Sequence, residues 1–375
     1  MQEKSKNYDV AAYVWPSYTG DEPRTRIFWP EGYGEWQTVK NAPKNIVNAP
    51  AGYEWNRQPL WGYVNEADPA VMEMQIGCAH RHGVNVFIYD WYWYDGRPFL
   101  ENCLNDGYLK AKNNDLVKFY LMWANHDATH MWSIETSSTV GDEVIWRGDV
   151  SFDTFKEIVH RWIEKYFPHP SYYKIDGKPV VSIYSITNFL KSFGGLEGAQ
   201  KAMDYCRREV EKAGFPGVHL QMVYNAFESF DYDGCFGGAP GNALEVLDFD
   251  SVTHYNMGIR KERDGDYTEF IKVHQKGYNM MDARGLLYFP QVSLGWDNNP
   301  RFRTFQPFVA TNNTPENIKK ALLQAKAYVD SHDLPVPLVT INSWNEWTET
   351  SYLQPDNVYG YGYLEAVREV FLSEE

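Results

Sequence analysis

Several things are scarce in this chain, and each scarcity removes a class of protein. No run approaches the about 18 consecutive apolar residues of a membrane-spanning helix, so no span is expected. Positive charge is in deficit: 35 Lys and Arg face 50 Asp and Glu, a net charge of −15. That balance argues against nucleic acid as a partner and for a neutral or cationic ligand. Only four cysteines occur (Cys78, Cys103, Cys206, Cys235), with no CxxC and no metal-ligand spacing, so a disulfide framework is not expected. Cys78 and Cys206 fall in helix-like patterns and are expected to be buried free thiols. Phosphate-cradling loops are missing too: no GxGxxG follows the first strand pattern and no Walker-type loop occurs. No linker or low-complexity tract divides residues 1–375, which predicts a single domain, expected to be monomeric. The N-terminus is polar and shows no signal peptide; it fits a cytosolic protein, or a periplasmic or secreted one whose export signal has been removed.

Aromatic residues, by contrast, are abundant: 14 Trp, 27 Tyr and 20 Phe make 16% of the 375 residues. Flat aromatic faces stack on C–H-rich sugar faces while indole N–H and phenol O–H groups reach hydroxyls, so the composition points to a carbohydrate ligand. Short apolar runs alternate with amphipathic helices. The runs are 10–15, 85–90, 117–123, 179–184, 218–224, 249–254, 286–292 and 338–341, with helices predicted near 68–83, 151–166, 196–213, 314–332 and 363–372. Asp68-Pro69 and Thr314-Pro315 supply helix starts, and Gly83 a stop. Continuously apolar strands are buried on both faces and belong to a parallel sheet. Eight of them predict an α/β fold, a closed (β/α)₈ barrel with long βα-loop insertions, over a doubly wound open sheet.

A parallel barrel carries its function at the carboxyl ends of its strands. Those ends read Tyr13, Trp15 and Tyr18; Trp91 and Trp93; Trp123, Asn125 and His126; Tyr224 and Asn225; Tyr255; Trp296, Asp297 and Arg301; and Trp344, Asn345, Glu346 and Glu349. All but Asn225 and the two glutamates are candidate substrate-binding residues for a poly- or oligosaccharide. Glycosidic cleavage needs one carboxyl to protonate the leaving oxygen and a second as base or nucleophile. Glu346 and Glu349, three apart on a turn, can converge on one face and are the catalytic candidates. The same spacing also fits two acids in the first turn of a short helix.

The segment Asn345-Glu346-Trp347-Thr348-Glu349 through Pro355 resembles the NEW-x-E-x-x-x-x-x-P signature of glycoside hydrolase family 99, and lies closer still to the WbsX-like relatives of that family. The likeness continues through Tyr359 to Glu365, and takes in Trp123-Ala124-Asn125, Gly34-Glu35-Trp36, Gln58-Pro59 and Trp296 to Arg301. Thr350 stands where a glycine is usual, and Gln354 where an acid commonly precedes the proline. The resemblance implies a (β/α)₈ barrel and a retaining endo-acting α-mannosidase-like activity. It also implies roles: Glu346 would deprotonate the sugar 2-hydroxyl, which attacks C1 to give a 1,2-anhydro sugar. Glu349 would protonate the leaving oxygen and later activate water. No metal and no organic cofactor is called for.

Other signals are weaker. His126 and His130 are four apart, but HDATH lacks the glutamate of HExxH and a third ligand. His80-Arg81-His82 suits a helix C-terminus. Asp231-Tyr232-Asp233 and Asp248-Phe249-Asp250 match the DxD string of many glycosyltransferases, without a nucleotide-binding unit beside either. Asp297 and Arg301 could pair with each other or bind sugar hydroxyls. The leading expectation is therefore a glycosidase. The alternatives are a glycosyltransferase of surface-polysaccharide assembly, as WbsX-like proteins have often been labelled, and a non-catalytic glycan-binding barrel.

Overall fold

The computed structural model describes residues 7–20, 22–224, 243–257 and 264–372. Eight parallel strands form its centre: β1 (Asp9–Val14), β2 (Val86–Tyr94), β3 (Lys118–Trp123), β4 (Lys178–Ile183), β5 (His219–Tyr224), β6 (Ser251–His254), β7 (Gln291–Ser293) and β8 (Leu338–Asn342). Their order is β6-β5-β4-β3-β2-β1-β8-β7. The ring joins where Val252 N–H donates to Leu287 O at 2.8 Å and Phe289 N–H to Val252 O at 3.0 Å. This is the (β/α)₈ barrel that the apolar runs predict.

Among the described residues, six longer helices surround it: α1 (Pro69–Arg81), α2 (Phe152–Arg161), α3 (Leu196–Lys212), α4 (Tyr267–Ala283), α5 (Pro315–Ser331) and α6 (Gly362–Phe371). The predicted caps are used. Asp68 accepts from Ala70 N–H at 2.8 Å ahead of Pro69, and Thr314 from Asn317 N–H at 3.4 Å ahead of Pro315. α4 escapes the sequence reading because Gly277 and scattered polar residues blur its period; Gly277 is buried. The seventh strand is shorter than expected: Pro290 has no N–H for the ladder, leaving a lone bridge at Tyr288 before the strand proper.

Strand β2 is longer than expected. It continues past the barrel rim and pairs with Arg97–Phe99 in an antiparallel hairpin. Alternate residues of an extended chain face opposite sides, and here they separate cleanly. Asp90 and Tyr92 line the barrel mouth, while Trp91 and Trp93 pack together, with Trp91 against Trp162 at the end of α2.

Candidate active site

The mouth of the barrel holds a cleft of about 310 Å³ lined by Trp15, Asp90, Tyr92, Met122, Ala124, His126, Trp132, Tyr184, Tyr255, Arg301, Glu346 and Glu349. Strands β2 and β3, and the segments after β1, β3, β4, β6, β7 and β8, contribute to it. Aromatic rings form one part of the wall: Trp15 packs on Tyr92 and Trp132, and Tyr184 on Tyr255 and His126. Burial depresses the affinity of His126 for a proton, so its ring favours the neutral form.

The polar part is organised by Arg301, which reaches three carboxylates. Its Nε donates to Glu35 Oε1 at 3.0 Å, its Nη1 to Glu349 Oε1 at 2.9 Å and its Nη2 to Glu346 Oε1 at 2.8 Å. Burial opposes the charge on Arg301, but Glu35, Glu346 and Glu349 outweigh it and hold the guanidinium fully protonated. Glu35 is itself fastened by Trp15 Nε1, by Thr348 Oγ1 at 2.9 Å and by Ser17 Oγ at 3.4 Å. Glu346 is pushed well above the ordinary carboxylate range by burial and by the neighbouring charge of Glu349, with Arg301 acting against both. Asp90 is raised well above its ordinary range, again chiefly by burial.

The loop after β8 explains how the two glutamates converge. Residues Asn345–Glu346 pair with Ser351–Tyr352, and Trp347–Glu349 make a single 3₁₀ turn between them. The turn ends at Thr350, whose φ of 54° lies in the left-handed region where glycine is usual. Thr350 is held there by two hydrogen bonds through Oγ1, from Trp55 Nε1 and to Asp297 O, both 2.9 Å. So the short helical turn expected as an alternative to catalysis does form, and it is also what brings both carboxyls to Arg301.

Of the substrate-binding candidates, Trp15, His126, Tyr255 and Arg301 reach the cleft beside the glutamate pair. The others are placed elsewhere. Trp91 donates to Glu101 at 2.8 Å and Trp123 stacks on Phe155, both outside the barrel ring, and Trp93 lies with Trp91. Asn125 bonds the backbone of Ser185. Tyr13 donates to His254 O at 2.9 Å inside the barrel, and Tyr224 packs on His254. Tyr18 packs on Trp36 and accepts from Trp347 N–H. Trp344 donates to Gln75 at 2.8 Å and Asn345 to Glu66 at 2.9 Å, beneath the loop. Trp296 is buried in the loop after β7. Asp297 accepts from Tyr53 and Asn299 and does not pair with Arg301. These placements share one cause: a strand end or tight loop sends only part of its side chains into the mouth, and the rest complete the packing behind it.

Sequence reasoning missed Asp90, Tyr92, Trp132 and Tyr184 as lining residues, and Glu35 as an anchor for Arg301. Asp90 did leave a signal, an acid near the end of an otherwise apolar strand run. Among the weaker signals, His82 bonds Cys78 O at the end of α1, as its position suggested. His130 bonds Thr136, away from His126. Asp250 accepts from Leu220 N–H at the amino-terminal end of β6, opposite the cleft. Cys78, Cys103 and Cys206 are free and buried. Asn225, Asp231-Tyr232-Asp233 and Cys235 lie outside the described residues. Among the described residues, no group of three or more His, Cys, Asp or Glu is arranged to hold a metal ion, and no helix is long and apolar enough to cross a membrane.

Comparison with solved structures finds the same (β/α)₈ barrel architecture. A protein described as glycoside hydrolase-like superposes with a TM-score of 0.61 at 17% identity, covering 99% of this chain and 96% of that one. The family 99 endo-α-mannosidase of Bacteroides thetaiotaomicron superposes with a TM-score of 0.52 at 14% identity, over 97% of each chain. At such identities the likeness shows the fold. The chain belongs to the family described as "Glycosyltransferase WbsX", which matches residues 10–367. It is 24% identical over 349 residues to the uncharacterized protein WxcX of Xanthomonas campestris pv. campestris, covering 92% of this chain. The chain spans about half the length of that relative, 47%.

Proposed function

We propose that this chain is a retaining glycoside hydrolase that cleaves a poly- or oligosaccharide with Glu346 and Glu349. The observation that carries the reading is the single guanidinium of Arg301 holding both carboxyls at the cleft, at 2.8 and 2.9 Å. A base works best when its proton affinity lies near the operating pH, and the burial that raises Glu346 moves it in that direction. In the reaction implied by the family 99 resemblance, Glu346 takes the proton of the sugar 2-hydroxyl as O2 attacks C1. Glu349, which in the reactive state holds the proton that the resting site favours on Glu346, gives it to the departing oxygen as the glycosidic bond breaks. Glu349, now a carboxylate, then takes a proton from water as that water attacks C1, and Glu346 returns its proton to O2. Protons balance over the cycle, and no cofactor enters it.

The scheme requires O2 trans to the leaving group, as in an α-mannoside. Three acids against one cation along the cleft favour a neutral sugar there and disfavour a uronate. The decisive experiment is a screen of the chain against diverse polysaccharides with product sizing by mass, repeated with Glu346→Gln and Glu349→Gln. Turnover of a 2-deoxy or 2-O-methyl analogue at the parent rate would remove the neighbouring-hydroxyl step and leave direct attack by a carboxylate. The family description favours a second reading, transfer of a sugar. Transfer from a nucleoside-diphosphate sugar, with no polysaccharide hydrolysed, would establish that one instead.

A further inference from the structure

Asp90 stands apart from the other cleft acids. Glu35, Glu346 and Glu349 each bond Arg301, whereas Asp90 makes no ion pair among the described residues. Its Oδ2 accepts from the Tyr255 hydroxyl at 3.0 Å, and its buried Oδ1 has no partner among them. The same hydroxyl lies 3.5 Å from Glu346 Oε2. The three residues come from β2 and from the loops after β6 and β8, so only the closed barrel brings them together.

A phenol carries one proton and can serve one carboxylate at a time. When Tyr255 donates to Asp90, its approach to Glu346 Oε2 is favourable only if Glu346 is protonated and donates to the phenol oxygen. When Tyr255 donates to Glu346, Asp90 must hold the proton. Passing between these states moves one proton from Glu346 to the tyrosyl oxygen and the tyrosyl proton to Asp90, with no change in total charge.

We propose that Asp90 is a positioning residue for Glu346, acting through the Tyr255 hydroxyl: the two carboxyls share one proton across that phenol, and Asp90 decides whether Glu346 is free to accept another from the substrate. This rests on the reading of Glu346 as a base. Glu346 also faces Glu349, Arg301 and Glu35, and Asp90 faces Glu349 and the phenols of Tyr13 and Tyr92. Burial and the neighbouring acids raise both groups, and it is the shared phenol between them that lets the two titrations couple.

The test needs no substrate. The full chain, labelled with ¹³C at Asp and Glu side-chain carboxyls, is titrated by NMR, and Asp90→Asn and Glu346→Gln identify the two resonances. In the parent, each should titrate in two steps. In Asp90→Asn, the step shared with Asp90 should vanish from the Glu346 titration, leaving only its coupling to Glu349, and Glu346 should titrate lower by about one pH unit, since a nearby negative charge has gone. Tyr255→Phe keeps both acids and most of the packing while deleting the bridge, so its titrations should separate too; it decides the matter if Asp90→Asn does not fold. A Glu346 titration unchanged in the folded variants overturns the proposal. Full hydrolytic activity in Glu346→Gln would instead overturn the catalytic reading and leave the titration result standing.

Discussion

Two buried polar clusters meet at the dipeptide Asn345-Glu346, and they are built on opposite principles. Asn345 joins the sealed cluster beneath the loop. There Glu66 accepts from Gln75 at 3.1 Å, from Gln354 at 2.9 Å and from Asn345 at 2.9 Å, while Trp344 and Trp347 donate to Gln75 and Gln354. One carboxyl is surrounded by neutral amides, and both its oxygens are occupied. Glu346 joins the open cluster, where several carboxyls crowd one guanidinium and one oxygen of Asp90 has no partner among the described residues. A satisfied network fixes one loop conformation. A cluster short of partners is where a ligand's hydrogen bonds have value. Gln354, in place of the acid common at that position, belongs to this logic: its amide N–H donates to Glu66, where a second carboxylate would only repel it.

The sharpest way to break the contrast is at the glutamates. Glu346→Gln and Glu349→Gln each keep an oxygen for Arg301, so folding should survive while turnover falls by ~10²–10⁴-fold. Thermal melts together with steady-state rates check this, and a collapsed melt with normal specific activity would make the open cluster merely structural. Next comes Arg301→Met. Removing the shared cation leaves buried carboxylates uncompensated, and urea unfolding should show a loss of about 3–5 kcal/mol, partly offset by protonation at acidic pH.

Glu66→Gln tests the sealed side. It turns an acceptor into a group with its own N–H donors facing three amide donors, at a cost of about 1–3 kcal/mol, and should leave turnover per folded molecule unchanged. The parent carries a pH signature as well. Burial pushes Glu66 up to about 7 from an ordinary 4.5. A raised acid contributes stability that is complete below the unfolded value and is lost as pH rises through the folded one. Unfolding free energy should therefore decline between about pH 4.5 and 7, and Glu66→Gln should remove that part of the slope. The smallest effect is expected from Thr350→Gly. Relief at a positive φ and loss of two Oγ1 hydrogen bonds oppose each other, so stability should change by less than about 1 kcal/mol, with turnover reporting whether Glu349 stays in place.

By itself the sequence determined a parallel α/β sheet, because apolar runs buried on both faces need helices outside, and their number, eight, favoured a barrel over an open sheet; Asp68-Pro69 and Thr314-Pro315 marked two helix starts, while closure of the ring was decided by the tertiary structure. It also marked Glu346 and Glu349 through their spacing after the last strand. It could not sort the aromatic-rich strand ends into lining and packing. Whether Trp91 or Asp90 faces the mouth depends on the phase of the pleat, which a run apolar on both faces does not reveal. Nor could it pair Arg301 with Glu35, 266 positions away, or bring Asp90 to Glu346 through Tyr255. Those contacts join residues distant along the chain, and only closure of the barrel sets the distances between them.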